Sequence, residues 1–205
     1  MKQKEINCLI VGVGGQGTVL AARILGAAAM LAGFDVRGSE TIGMAQRGGS
    51  VTSHVRMGKN TNANHLEISG PASPLIPSGR ADVILAFEPG EALRTIDFLK
   101  PGGTFIVCDR PIVPAVRGDY DGAAAVRWLK KHTRARVVSG EDIIKNCGAR
   151  SVNVALIGAA AECGAFPFGF DEIEKALAER LDEKFLAMNI AALHYGASLT
   201  TGNQL

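Results

Sequence analysis

No two of the four cysteines stand close together; they occupy positions 8, 108, 147 and 163, and no C-x-x-C pair occurs. Iron-sulfur and zinc frameworks gather several thiolates on one short loop that wraps the metal, so this spacing argues against a cluster or zinc site held by this chain. Cys8 and Cys108 fall inside apolar runs, where cysteine behaves as a small buried hydrophobe, and the chain reads as reduced and cytoplasmic. The four histidines, at 54, 65, 132 and 194, lack metal-ligand spacing and read as structural. His54 is the one with a possible role, because it lies near Arg47 and shares a strand face with Arg56. Charge of one sign is also missing. With 22 Lys and Arg against 20 Asp and Glu the net charge is +2 and no long run of one sign occurs, which argues against the concentrated positive charge that a general nucleic-acid grip requires. The longest apolar stretch, Val19 to Phe34, is interrupted by Arg23 and falls short of the roughly 20 residues that span a bilayer. The opening Met1-Lys2-Gln3-Lys4-Glu5 has no signal-peptide character, so neither membrane nor export is expected.

What is present suits one buried core. A chain of 205 residues with 47% hydrophobic and 20% charged content is expected to form a single domain over 1–205, with 151–205 as its helical C-terminal part. Ile6 to Val11 reads as a buried central strand, followed by a glycine-rich turn and an alanine-rich helix from Thr18 to Ala32 that stops at Gly33. Phe34 to Ser39 is a second strand and Glu40 to Gly49 an irregular loop. Ser50 to Met57 alternates, placing Val51, Ser53, Val55 and Met57 on one face and Thr52, His54 and Arg56 on the other, which predicts a strand exposed on one side. Pro71, Pro74 and Pro77 then break the chain into a loop. Ala81 to Phe87 is a buried strand, Pro89 to Leu99 a helix with proline in its first turn, and Thr104 to Cys108 a strand. A helix over Asp121 to His132, a strand over Ala135 to Val138 and a helix over Gly140 to Cys147 follow. The last third carries helical patterns over Ser151 to Glu162, Asp171 to Arg180 and Asp182 to Leu199, the second opening on a capping-box-like Asp171 and Glu174. Strands alternating with helices require crossover connections. The expected fold is α/β and Rossmann-like, a mainly parallel sheet with helices on both faces and a helical C-terminal segment.

Gly12, Gly14 and Gly17 satisfy G-x-G-x-x-G between a strand and a helix, the context that gives this pattern meaning. Such glycines let a ligand approach the main chain while helix-terminal amides face an anion, so Gly12, Gly14, Gly15, Gln16 and Gly17 are candidate phosphate or carboxylate contacts, or else form a structural turn. An NAD(P) enzyme would add an acidic residue at the end of the second strand. Asp35 sits at its wrong end and Glu40 just beyond it, so a nicotinamide-dependent oxidoreductase using Glu40 is the alternative reading.

A second motif, Ser39 through Arg56, contains Gly43-Met44-Ala45-Gln46-Arg47-Gly48-Gly49. Arg47 beside two glycines can present a fixed guanidinium to a carboxylate, a phosphate or a partner surface. Together with Val11-Gly12-Val13-Gly14-Gly15-Gln16-Gly17, this stretch resembles the small, or beta, subunit of indolepyruvate:ferredoxin oxidoreductases. More broadly it is similar to the gamma domain of pyruvate and 2-ketoisovalerate:ferredoxin oxidoreductases, over residues 6 to about 195.

The resemblance implies a complex that decarboxylates a 2-oxoacid oxidatively, transfers the acyl group to coenzyme A and passes electrons to ferredoxin. It implies thiamine diphosphate, magnesium and iron-sulfur clusters on a large partner subunit in a hetero-oligomer, and none bound by this chain alone. Gly12, Gly14, Gly15, Gln16, Gly17, Gln46, Arg47, Gly48 and Gly49 are then the residues expected to line the shared active-site cavity, with no catalytic acid, base or nucleophile and no metal ligand here. On the last helix, Leu186, Ile190, Leu193 and Ala197 form one apolar stripe and Phe185, Met188, Ala192 and Tyr195 a second. The second either widens the helix's contact with its own core or covers another subunit.

Overall fold

The computed structural model describes residues 5–43, 48–58, 71–113 and 120–201. Among these residues six strands form one sheet in the order β2-β3-β1-β4-β5-β6. β1 (Glu5–Val13) lies at its middle, parallel to β4 (Ala81–Ala86), which pairs parallel with β5 (Leu99–Cys108), which in turn pairs parallel with β6 (Arg134–Val138). On the other side β3 (Ser50–Gly58) runs antiparallel to both β1 and the edge strand β2 (Asp35–Ile42). β2 therefore reaches Ile42, three residues into the stretch expected to be irregular, because Glu40, Thr41 and Ile42 find partners in Ser53, Thr52 and Val51.

The alternation of the strands sorts their side chains into two cores. Cys8, Ile10, Val55, Met57, Leu85 and Ile106 face α1 (Thr18–Leu31), α5 (Val152–Glu162), α6 (Phe170–Arg180) and α7 (Glu183–Thr201). Leu9, Val11, Ile84, Phe105 and Val107 face the opposite layer, where Ala92 of α2 (Pro89–Arg94) and Leu129 of α3 (Gly122–His132) are buried. The remaining helix, α4 (Gly140–Cys147), adds Ile143 to the first core. Both faces of β1, β4 and the second half of β5 are thus largely dry, which is why those segments read as near-continuous apolar runs.

Some expected boundaries move. The helix starting at Pro89 ends at Arg94 and passes through a 3-10 turn, Ile96–Phe98, into β5, so Leu99 through Gly103 belong to the strand. Pro101 is tolerated there because only Ala81 at that end finds a register partner, Leu99, before the shift that precedes Val83. α6 starts one residue earlier than expected. The Glu172 carboxylate, and not Glu174, accepts the Gly169 N–H at 3.0 Å, while Glu174 instead pairs with His194.

The outer face of β3 departs most from its sequence pattern. His54 is 5% exposed, and its Nδ1 accepts the Ile76 N–H at 3.2 Å. Arg56 donates to the Ser73 carbonyl at 2.8 Å and to the Glu5 carboxylate at 2.9 Å. The proline-rich segment after residue 70 folds back over this face, so a strand expected to be wet is covered on both sides. Burial, and then the nearby Arg56 charge, hold the His54 imidazole below its ordinary 6.5. A base whose folded pKa is depressed contributes full stability above about pH 6.5 and loses it as pH falls from there toward the lowered value, since the unfolded chain takes up the proton first. We expect His54→Asn to flatten this acid limb in urea titrations at pH 5 to 7, and an unchanged limb would contradict the assignment.

On α7, Ala192, Leu193 and Ala197 are buried, whereas Phe185 and Met188 are 37% and 40% exposed. The second apolar stripe thus divides: Ala192 joins the core, Tyr195 bonds to Asn146 at 2.8 Å, and Phe185 and Met188 face outward. No helix among the described residues is long and apolar enough to cross a membrane.

Candidate functional site

β1 and β4 are parallel neighbours whose following helices leave to opposite faces of the sheet, α1 to one core and α2 to the other. The crevice that opens beyond the carboxyl ends of such strands is where α/β sheets place ligands. Here it is a cleft of about 530 Å³, lined by Gly14 to Gly17 of the glycine turn, Phe87, Cys108, Arg110 and Ile112 beyond β4 and β5, and 149–150, Val152 and Asn153 at the start of α5.

Each glycine of the turn has its own reason. Gly17 has φ of +82°, and a Cβ there would stand 2.5 Å from Asn153 Nδ2, so α5 can approach the first turn of α1 only if this residue has no side chain. Gly15 has φ of +102° and faces open space, where the backbone is accessible to a ligand. A Cβ on Gly12 would meet Gln16 Oε1 at 2.7 Å. Gln16 is folded back under the turn: its Oε1 accepts the Val13 N–H at 2.7 Å and its Nε2 donates to the Phe87 carbonyl at 2.9 Å. The polar residue at this position is therefore a clip between β1 and β4, and its own N–H donates to the Val13 carbonyl at 3.1 Å.

The electrostatics of the cleft favour an anion. α1 and α5 both begin at its wall, neither carries an acidic residue in its first turn, and neither N-cap residue caps its helix, although within α5 Asn153 Oδ1 accepts the Val154 N–H at 2.9 Å. The first turn of α1 presents N–H groups to this space, and both helices turn the positive ends of their dipoles toward it. Arg110 and Arg150 are exposed on its rim, and neither guanidinium forms an ion pair among the described residues. Cys108 lies at the floor, 1% exposed; burial pushes its thiol up to about 11, so it is an apolar wall and not a thiolate.

The second motif meets the first at one point. The Gly14 N–H donates to the Gly49 carbonyl at 2.8 Å, continuing the β1–β3 ladder past the Val13–Ser50 pair. Gly48 has φ of +77° and is exposed. Gln46 and Arg47 lie outside the described residues. Sequence reasoning missed Arg110, Arg150 and Asn153. Their signal was positional: an arginine two residues past a buried strand, and an Arg-Ser pair just ahead of a helix.

Glu40 does not reach this cleft. β3 is inserted between β2 and β1, so Glu40 stands two strand spacings, about 10 Å, from β1 in the sheet plane, exposed on the edge strand. In a dinucleotide enzyme the acid-bearing strand adjoins the glycine-turn strand directly. The nicotinamide alternative is not favoured by this topology.

Residues 7–199 match the model of the family described as pyruvate ferredoxin/flavodoxin oxidoreductase. The chain belongs to this family. Among its curated relatives, the indolepyruvate oxidoreductase subunit IorB of Archaeoglobus fulgidus is 36% identical over 199 residues, covering 94% of each chain. The same-named subunit of Thermococcus kodakarensis is 34% identical, covering 94% of this chain and 95% of its own. The fold is shared with solved structures of the family. The gamma subunit of a keto/oxoacid ferredoxin oxidoreductase from Geobacter sulfurreducens superposes with a TM-score of 0.67 at 22% identity, over 97% of this chain and 99% of its own. A 2-oxoglutarate:ferredoxin oxidoreductase from Magnetococcus marinus, solved with 2-oxoglutarate, coenzyme A and succinyl-CoA, gives 0.71 at 22% identity over 99% of this chain and 32% of that one. The resemblance of the two glycine motifs to this family thus extends to the whole chain.

Proposed function

We propose that this chain is the cluster-free small subunit of a thiamine diphosphate-dependent 2-oxoacid:ferredoxin oxidoreductase acting on indolepyruvate or a related aryl pyruvate. It acts as one domain, in the cytoplasm, paired with a large subunit that carries the thiamine, magnesium and iron-sulfur clusters, with ferredoxin reduced through the complex. Support for the substrate class comes from relatives at 32–36% identity that are named for indolepyruvate.

The observation that carries the reading is the convergence on one cleft of two helix N-termini and two arginines, neither of them in an ion pair among the described residues. The residues fit coenzyme A, whose phosphates need such donors. When bound, coenzyme A supplies the thiol that accepts the acyl group. The Gly15 and Gly17 amides and the first turn of α1 would hold its phosphates, Arg110 and Arg150 would neutralise them, and Leu20, Phe87 and Ile112 would cover the apolar part. Gln16 keeps the turn open by satisfying Val13 internally, and the Gly14–Gly49 bond keeps the second loop beside it. Gly12 is buried beneath the turn and supports it from within, Gly48 is exposed beside it, and Gln46 and Arg47 are proposed as contacts to the large subunit from their motif alone.

The isolated chain is expected to bind coenzyme A by calorimetry, to ignore NAD(P), and to show no turnover. Co-purified with its large subunit, it is expected to give indolepyruvate-dependent and coenzyme A-dependent reduction of a viologen dye. Oxidation of a 2-oxoacid by the isolated chain would refute the reading.

A further inference from the structure

Two carboxylates that the proposed function does not use are buried beside the site. Glu88 is 3% exposed and Glu91 5%, at the end of β4 and in the first turn of α2. Acidic side chains are seldom so buried unless every oxygen has a task. Glu88 accepts hydrogen bonds from the Tyr120 hydroxyl, from the Glu91 N–H at 2.9 Å and from the Ile112 N–H at 3.4 Å. Tyr120 Oη also accepts the Gly90 N–H at 2.9 Å. Burial first, and then the Glu88 carboxylate, push the Tyr120 hydroxyl up, so it stays a donor. Glu91 accepts the Ser50 hydroxyl at 2.5 Å and faces Arg94 at 3.6 Å.

These bonds join segments that are far apart in sequence. Ser50 is the first residue of β3, and Gly43 donates to its carbonyl at 3.1 Å, so Glu91 grips the base of the second glycine loop next to the Gly14–Gly49 bond. Ile112 lines the cleft and Arg110 stands two residues before it, so Glu88 grips the wall that carries one of the cleft's two arginines.

We infer that Glu88 and Glu91 are positioning residues, a buried bracket that sets the Arg110–Ile112 wall and the second glycine loop at fixed distances from the glycine turn. Neither touches the cleft itself. The consequence for coenzyme A rests on the function proposed above; the bracket itself rests on the hydrogen bonds alone.

Two readouts test it. Hydrogen exchange on the isolated chain is expected to quicken by about tenfold or more at the Ile112 amide in Tyr120→Phe and Glu88→Ala, and at 48–50 in Ser50→Ala, with the sheet unaffected. In the assembled enzyme, Tyr120→Phe is expected to raise KM for coenzyme A about tenfold at nearly constant kcat, with Glu88→Gln, which keeps one acceptor oxygen, milder than Glu88→Ala. Tyr120→Phe removes a single oxygen and keeps the test open should Glu88→Ala fail to fold. Unchanged exchange at these amides in Tyr120→Phe and Ser50→Ala would overturn the bracket. Quickened exchange with KM shifted less than about twofold would overturn its role in positioning the cleft. If the wild-type complex needs no coenzyme A, the functional reading fails, and the exchange result alone then supports or overturns the bracket.

Discussion

Alanine at Gly158 or Gly196 is expected to destabilise the protein by about 3 kcal/mol, lowering Tm by about 6 to 12 °C. α5 and α7 cross with their backbones in contact. A Cβ on Gly158 would fall on the Leu193 carbonyl, and one on Gly196 would fall on the Ala155 carbonyl, far inside van der Waals contact in both cases. The obstructing atoms are main chain on both sides, so no rotamer change relieves the clash and the helices must separate. Separation would open the core around Ala155, Ala159, Leu193 and Ala192, all fully buried. Gly26 on α1 is the control. A Cβ there meets only Val36 Cγ1 at 3.7 Å, so Gly26→Ala is expected to hold or raise stability, by up to about 1 kcal/mol from helix propensity. Denaturation of the three variants decides the matter, and equal stability of Gly158→Ala and Gly26→Ala would rule out the close crossing.

Loss of both cleft arginines is expected to weaken coenzyme A binding about a hundredfold. A charge-assisted hydrogen bond to phosphate contributes about 1.5 to 3 kcal/mol, or roughly tenfold or more in affinity for each guanidinium. Arg110 and Arg150 come from different elements, one beyond β5 and one before α5, so their effects should combine nearly additively unless they grip the same phosphate. Neither is engaged in an ion pair among the described residues, which leaves both charges for the ligand. Because both are exposed, their removal should leave Tm nearly unchanged and should also reduce the salt dependence of binding. Calorimetry on Arg110→Ala, Arg150→Ala and the double variant measures this directly. Wild-type affinity in the double variant would remove the arginines from the site.

The architecture was largely readable in advance because its central strands are buried on both faces and so stand out as apolar runs between glycine and proline breaks. Ile6 to Val11, Ala81 to Phe87 and Thr104 to Cys108 fall within or overlap strands β1, β4 and β5. The glycine turn was readable too, since Gly15 and Gly17 occupy positive φ that other residues rarely adopt. His54 and Arg56 were misread as a wet face because the cover comes from a proline-rich segment with no periodicity of its own. Glu40 looked eligible for a ribose because spacing along the chain does not reveal that β3 is inserted between β2 and β1.

Sequence by itself thus determined the α/β class, the place of the glycine turn, the helical character of the segment after residue 151, and the family, since these depend on local conformational preference and short motifs. Only the tertiary structure decided which strand adjoins β1, that Arg110, Arg150 and the start of α5 converge on the turn, and that Glu88 and Glu91 tie the loops around it. Those are relations between residues separated by as many as 136 positions, as in the Asn153–Gly17 contact, and they are set by packing of whole elements, which no local pattern encodes.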